Sequence, residues 1–119
     1  MQGFAEVEPL SHDYEQQRND TLQAWRDISS RHAVPDEIEL DIQFVPHGEP
    51  LWSDAEIALA AAGYRVVRYD DGSTLQATVG PVMNTPEEIW KHERATTELA
   101  LKYGFKPDGW GFLSDPGNG

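Results

Sequence analysis

The stretch that decides the fold is Glu37–Val45, "EIELDIQFV", in which polar and apolar residues alternate strictly. One side of an extended chain here carries the apolar side chains of Ile38, Leu40, Ile42 and Phe44. The other side carries Glu37, Glu39, Asp41 and Gln43. A period of two is typical of a strand with one buried and one solvated face. We therefore predict a half-buried strand, and an antiparallel sheet can leave such a face in water.

The segment after this strand indicates a helix followed by a hairpin. In "SDAEIALAAAG", Ser53 and Glu56 have the spacing of a capping box, and Gly63 is a typical helix terminator. Two β-rich runs then flank the turn "DDGS" at 70–73, in which Asp-Gly favours a short hairpin. Gly80-Pro81 is expected to end the second strand of the hairpin or to move it to a sheet edge.

A second helix is predicted over 85–103. Thr85 is the expected cap, Pro86 occupies the first helical position, and Glu88 completes another capping box. The residues that share its apolar face are Ile89, Thr96, Leu99, Ala100 and Tyr103. "FKPDGWGFLS" after Gly104 then supplies a last strand, whose glycines indicate a bulge or a close backbone approach.

An N-terminal helix over 11–32 precedes these elements, with Ser11 as its expected cap. Its stripe of Leu22, Trp25 and Ile28 is expected to dock on the rest of the protein. The order predicts an α+β, ferredoxin-like βαββαβ fold, with two helices on one face of a four-stranded antiparallel sheet. We divide the chain into an N-terminal extension with one helix, 1–36, and a ferredoxin-like domain, 37–119, and expect the two to form one structural unit. The expected core is Ile38, Leu40, Ile42, Phe44, Ile57 and Leu99.

The composition restricts the classes of function. The 119 residues contain no cysteine, and 21 acidic against 9 basic residues give a net charge of −12. Direct nucleic-acid binding is disfavoured, because that binding depends on Lys and Arg. No run is long and apolar enough for a membrane span, and "MQGFAEVEPL" at the start does not have the pattern of a signal peptide, so we expect a cytoplasmic protein.

The sequence offers no catalytic, cofactor or metal constellation. The four histidines do not have the spacing of metal ligands, and Gly109-x-Gly111 is no phosphate-binding loop. Asp70-Asp71 is explained by the hairpin turn, and Glu87-Glu88 by the helix dipole. Since no nucleophile, base and orienting group come together, we expect no enzyme and no cofactor.

Two features indicate protein binding. On a strand, Glu37, Glu39 and Asp41 lie about 7 Å apart on one face, which matches a basic segment of a partner. The alternative is an ordinary solvated sheet face. Trp110 is either a packing residue between the sheet and a helix or an exposed anchor of the kind enriched at binding hot spots.

The C-terminal stretch "YGFKPDGWGFLSDPGNG" resembles the regulator of ribonuclease E activity B (RraB-like) family of bacteria. The matching run is Pro107-Asp108-Gly109-Trp110-Gly111 followed by Asp115-Pro116, and the helix ending in "AAGY" is also similar. The resemblance spans about residues 11–118. It implies a ferredoxin-like fold and a protein that binds ribonuclease E and inhibits RNA cleavage through the enzyme's scaffold region, without catalysis.

Two alternatives to a ribonuclease E inhibitor stay open. One is a small dimeric ferredoxin-like domain that binds a small molecule, for which a deep apolar cleft is expected. The other is an immunity-type inhibitor of a different basic nuclease, which the same acidic character would serve.

Overall fold

A computed structural model describes residues 12–31 and 33–112. It contains three helices and four strands in these residues: α1 Tyr14–Arg31, β1 Glu37–Pro46, α2 Trp52–Ala61, β2 Arg65–Arg68, β3 Leu75–Met83, α3 Pro86–Lys102 and β4 Phe105–Phe112. The expected cap Ser11, the last two residues of the predicted final strand and the Asp115-Pro116 match lie outside the described residues.

The four strands form one antiparallel sheet in the order β2-β3-β1-β4. The α+β class and the four-stranded antiparallel sheet are therefore confirmed. The decisive strand, β1, lies inside the sheet between β3 and β4, so both of its edges are hydrogen-bonded. Its alternation has the predicted register, with Ile38, Leu40, Ile42 and Phe44 buried and Glu37 and Glu39 exposed.

Helices α2 and α3 cover the apolar face of β1. Ala55 and Leu59 of α2 and Ile89 and Ala100 of α3 belong to the same buried cluster as the β1 residues. The prediction for Ile57 is wrong, since its side chain is 67 % exposed. Ile57 lies about 200° around the helix from Ala55, because each residue turns the chain by about 100°. Alanine and leucine, not isoleucine, face the sheet.

Helix α3 begins at the predicted cap, but only half of the predicted capping box forms, because the Glu88 carboxylate contacts His92 and Lys91 and not the backbone of Thr85. The hydroxyl of Thr85 accepts a hydrogen bond from the backbone N–H of Glu88, and Pro86 occupies the first turn. Ile89, Thr96 and Ala100 are buried on the predicted face. The other two members of that face, Leu99 and Tyr103, are half-buried and pack against the core, so the expectation for Leu99 is met in part.

The capping box predicted for α2 does not form. The helix begins at Trp52, and no side chain caps its first turn. The Glu56 carboxylate instead accepts two hydrogen bonds from the Arg68 guanidinium, at 2.9 and 3.0 Å, and Arg68 also lies over the Trp52 ring. A bidentate, charge-assisted contact between Glu56 and Arg68 of β2 therefore forms in place of the predicted capping box.

Helix α1 packs on α3, and the predicted stripe contributes to its docking only in part. Its buried residues are Gln17 and Thr21, whereas Leu22 and Ile28 are half-buried. Trp25 packs against the core, and its indole N–H donates to the Asn84 side chain at 3.1 Å. The N-terminal helix therefore docks largely through polar side chains.

The glycines of β3 and β4 mark irregular pairing, which the sequence predicts for β4 alone. Gly80-Pro81 does not end β3, because the strand continues to Met83 and stays paired with β1. Gly80 lies where the register between β1 and β3 shifts, and a Cβ there would lie 2.8 Å from the Glu39 Cα. Since β2 pairs only with residues 75–78, Gly80-Pro81 lies on a stretch of β3 whose outer side β2 does not reach. A second shift separates the partners of Gln43 and Phe44 in β4, next to Gly109, whose φ of 114° favours glycine.

Candidate protein-binding face

The face of the sheet opposite the helices carries the predicted carboxylate row. Glu37 and Glu39 are exposed, and Asp41 is half-buried between β3 and β4. Strand pairing fixes this arrangement, because every second residue of β1 is held in the core on the other side. The structure therefore brings the three carboxylates together on one surface that the described helices leave uncovered.

The three carboxylates differ in their partners. Glu39 forms an ion pair with Arg65 of β2 at 2.9 Å, and both side chains are more than half exposed. Asp41 accepts a hydrogen bond of 2.7 Å from the Thr78 hydroxyl of β3. Within the described part of the chain, Glu37 has no ion pair. An exposed pair contributes about 0–1 kcal/mol, so a competing cation can displace Arg65 at little cost.

A hydrogen-bonded polar patch continues the row along β1. The Gln43 amide donates to the Tyr69 hydroxyl and to the Gln76 side-chain oxygen, both at 3.1 Å. Tyr69 in turn donates to Gln76 at 3.0 Å, and the Gln76 amide donates to the Thr78 hydroxyl at 3.3 Å. These bonds connect side chains of β1, β3 and the turn after β2 into one polar network on this face.

Beside the row, β4 contributes bare backbone. Gly109 and Gly111 pair with Gln43 and Asp41, and neither adds a side chain to the open face. A Cβ placed on Gly111 would meet no atom within 4 Å. Among the described residues, therefore, none obstructs the carboxylate row from the side of Gly111.

Trp110 does not belong to this surface. It pairs with Ile42 and faces the helix-covered side of the sheet, where it is half-buried, packs against the core and stacks on Phe112. This placement agrees with the packing interpretation. The four candidate residues are thus split between two faces, and Trp110 is not next to Glu37, Glu39 or Asp41.

The open face has two apolar side chains that the sequence analysis missed. Met83 pairs with Glu37 and is 61 % exposed, and Val67 pairs with Gln76 and is 51 % exposed. The register of β2 and β3 places them beside the polar row. The pattern of polar and apolar residues in these two strands does not reveal that register. They are the apolar contacts that a partner on this face would meet.

A second polar cluster joins β2 to α3. The Tyr64 hydroxyl is 2.8 Å from Nδ1 of His92, and Nε2 of His92 is 3.2 Å from the Glu88 carboxylate. Burial, with a smaller effect of the Glu88 charge, raises the pKa of the Tyr64 phenol. These hydrogen bonds connect the segment before β2 to α3. Because the phenol stays protonated at neutral pH, Tyr64 is not an activated nucleophile.

A cavity of about 350 Å³ lies between α1, α3 and β4. The lining residues are His12, Asp13, Gln16, Gln17, Asp20, Thr21, Glu93, Pro107 and Gly109. Glu93 is only 3 % exposed, and burial raises the pKa of its carboxyl group. Most of the lining residues have polar or acidic side chains, and the cavity is open to solvent, so it differs from the deep apolar cleft expected for a small-molecule domain.

Within residues 12–31 and 33–112, no three His, Asp or Glu side chains are grouped in a way that could hold a metal ion. None of the three helices is long and apolar enough to cross a bilayer.

No family model matches the chain, and no curated protein sequence matches it significantly.

Proposed function

We propose that the protein binds a basic protein partner on the open face of its sheet, and that this partner is a ribonuclease E-like RNA-decay enzyme, which it inhibits by contact. The observation that carries the proposal is the row of Glu37, Glu39 and Asp41 on a face that none of the described helices covers. A net charge of −12 adds long-range attraction to any basic segment.

The energetics require more than the carboxylates. Each exposed ion pair contributes about 0–1 kcal/mol, so three pairs alone give weak binding. Apolar contacts with Met83 and Val67 beside the row supply the anchor that such an interface needs. These residues replace Trp110 in that role, because Trp110 packs on the other face.

The identity of the partner rests on the resemblance to the RraB-like family. We propose a ferredoxin-like fold, supported by the chain order of β1, α2, β2, β3, α3 and β4 and by the central position of β1 and β3 in the sheet. The Asp108–Gly111 run, which resembles the family's motif, lies in β4 beside the carboxylate row. Inhibition by contact requires no catalytic group, and a ribonuclease E partner implies the cytoplasm.

An immunity-type inhibitor of another basic nuclease would use the same face. The two functions differ in the enzyme that is inhibited, so a panel of basic nucleases separates them. The small dimeric ligand-binding domain has less support, because the cavity beside Glu93 is open to solvent and not a deep cleft.

The test is an RNA-cleavage assay with full-length ribonuclease E and with its catalytic part lacking the scaffold region. We expect the protein to slow cleavage by the full-length enzyme and to leave the catalytic part unaffected. Inhibition of both forms would contradict action through the scaffold. Inhibition of neither, with inhibition of a different basic nuclease, would favour the immunity-type function.

A further inference from the structure

The interface between α1 and α3 is built around a buried carboxylate. Gln17 and Thr21 of α1 and Glu93 and Thr97 of α3 are all at least nine-tenths buried. The Thr21 hydroxyl donates to one oxygen of Glu93, and the Gln17 amide donates to the other at 3.1 Å. The same amide donates to Thr97 at 3.0 Å. Glu93 is therefore the centre of the contact that fixes the first half of α1.

Two hydrogen bonds, from Thr21 and Gln17, favour the charge of Glu93, but burial opposes it more strongly. Among the described residues, no lysine or arginine forms an ion pair with it. On the α1 side, Asp20 opposes the charge, and His12 favours it from just before the helix. The nearby Asp13 also lines the cavity, whereas β4 contributes only Pro107 and Gly109, which have no ionisable side chain. A buried carboxylate in such surroundings favours its neutral form.

We propose that Glu93 acts as a proton-controlled latch, which holds the first half of α1 firmly on α3 when protonated and loosens it when ionised. Release of α1 removes the two side chains that bury this carboxylate and returns it to water. Release is therefore easier for the charged form. The contact of Trp25 with Asn84 further along α1 joins neutral groups, so this end of the helix has no such dependence.

The direction of the pH effect follows from linkage. Burial raises the pKa of Glu93 above the ordinary value of 4.5, so the docked state binds a proton more tightly than the released state. Docking is strongest below pH 4.5 and weakens as the pH rises towards the raised pKa, above which it stays constant. Each unit by which docking raises the pKa changes the ratio of docked to released helix about tenfold.

The test is amide hydrogen exchange of the intact protein between about pH 4 and pH 8, corrected for intrinsic exchange and followed by NMR with the Glu93 carboxyl resonance. Protection of amides 14–21 should fall with rising pH, with the same midpoint as the Glu93 titration. Amides of β1 report global stability and should change less. Protection of 14–21 that stays flat while Glu93 titrates would overturn the proposal.

One variant and a matched control make the test more specific. Glu93→Gln mimics the neutral carboxyl and should keep protection of 14–21 high and independent of pH. Glu87→Gln changes the same charge at an exposed position of α3 and should behave like the unmodified protein. A pH dependence that survives in Glu93→Gln would contradict the latch.

Thr21→Val provides an independent check that does not alter the carboxyl group. It removes a hydrogen bond that favours ionised Glu93, so the pKa of Glu93 and the midpoint of α1 protection should both move to higher pH. If Glu93→Gln does not fold, this variant and the unmodified protein decide the question. A pKa that moves without the protection midpoint would refute the coupling.

Discussion

Two isoleucines allow a direct test of which face of each element is buried. Ile42 of β1 is fully buried, and Ile57 of α2 is 67 % exposed. Replacing Ile42 with alanine removes three carbon atoms from the centre of the core and should lower the free energy of unfolding by about 2–5 kcal/mol. The same replacement at Ile57 removes an exposed side chain and gains helix propensity, so the change should stay within about 0.5 kcal/mol.

Urea unfolding measures both variants, with the m-value as a check that the unfolded reference is unchanged. Because total stabilities are about 5–15 kcal/mol, the effect of Ile42→Ala should be large and easily resolved. Equal losses for both variants would refute the assigned orientation of α2. A loss near zero for Ile42→Ala would show that the register of β1 is wrong.

Two other substitutions test close packing. Gly80→Ala should destabilise the protein by about 1–3 kcal/mol in the same unfolding assay, because the new methyl group would lie against the backbone of Glu39 and Ile38. Gly111→Ala is the matched control, because its Cβ meets open space, and equal effects of the two substitutions would contradict the close approach at Gly80. Trp110→Ala should cost about 2 kcal/mol, roughly half the value of a fully buried tryptophan, and should leave partner binding unchanged; normal stability with lost binding would reverse its assignment.

Local signals in the sequence predict β1 and α3 well. The alternation of β1 fixes its buried face, since a slip by one residue would exchange the core for charged groups. The cap and start of α3 depend on residues within four positions of one another, and both form as expected. Where the interacting residues belong to the same short segment, the sequence is sufficient to predict the local structure.

The predictions fail where a side chain contacts a residue that is distant in the sequence. Glu56 turns from its own helix end to Arg68, which lies 12 residues away. The partner of Thr21 is Glu93, 72 residues further along the chain, so the burial of polar groups in α1 has no local signal. For α2, an alanine-rich sequence does not reveal which face meets the sheet, and Ile57 was assigned to the wrong one.

The candidate site was predictable in part for the same reason. Glu37, Glu39 and Asp41 belong to one strand, so the alternation alone places them together. Met83 and Val67 join them only through pairing with other strands. Trp110 is separated from the row because register, not sequence distance, decides which face of β4 it occupies.

The most direct test of the binding face is a comparison of two variants with equal charge. One replaces Glu37, Glu39 and Asp41 with their amides, and the other replaces the exposed Glu15, Asp27 and Glu87 of the helices. Affinity for a ribonuclease E scaffold fragment is measured at low salt and again at salt well above about 0.1 M. At about 0.1 M the screening length is already down to about 10 Å. We expect the first variant to bind more weakly and with less salt dependence than the second. Equal affinity and equal salt dependence of the two variants would contradict the proposed face.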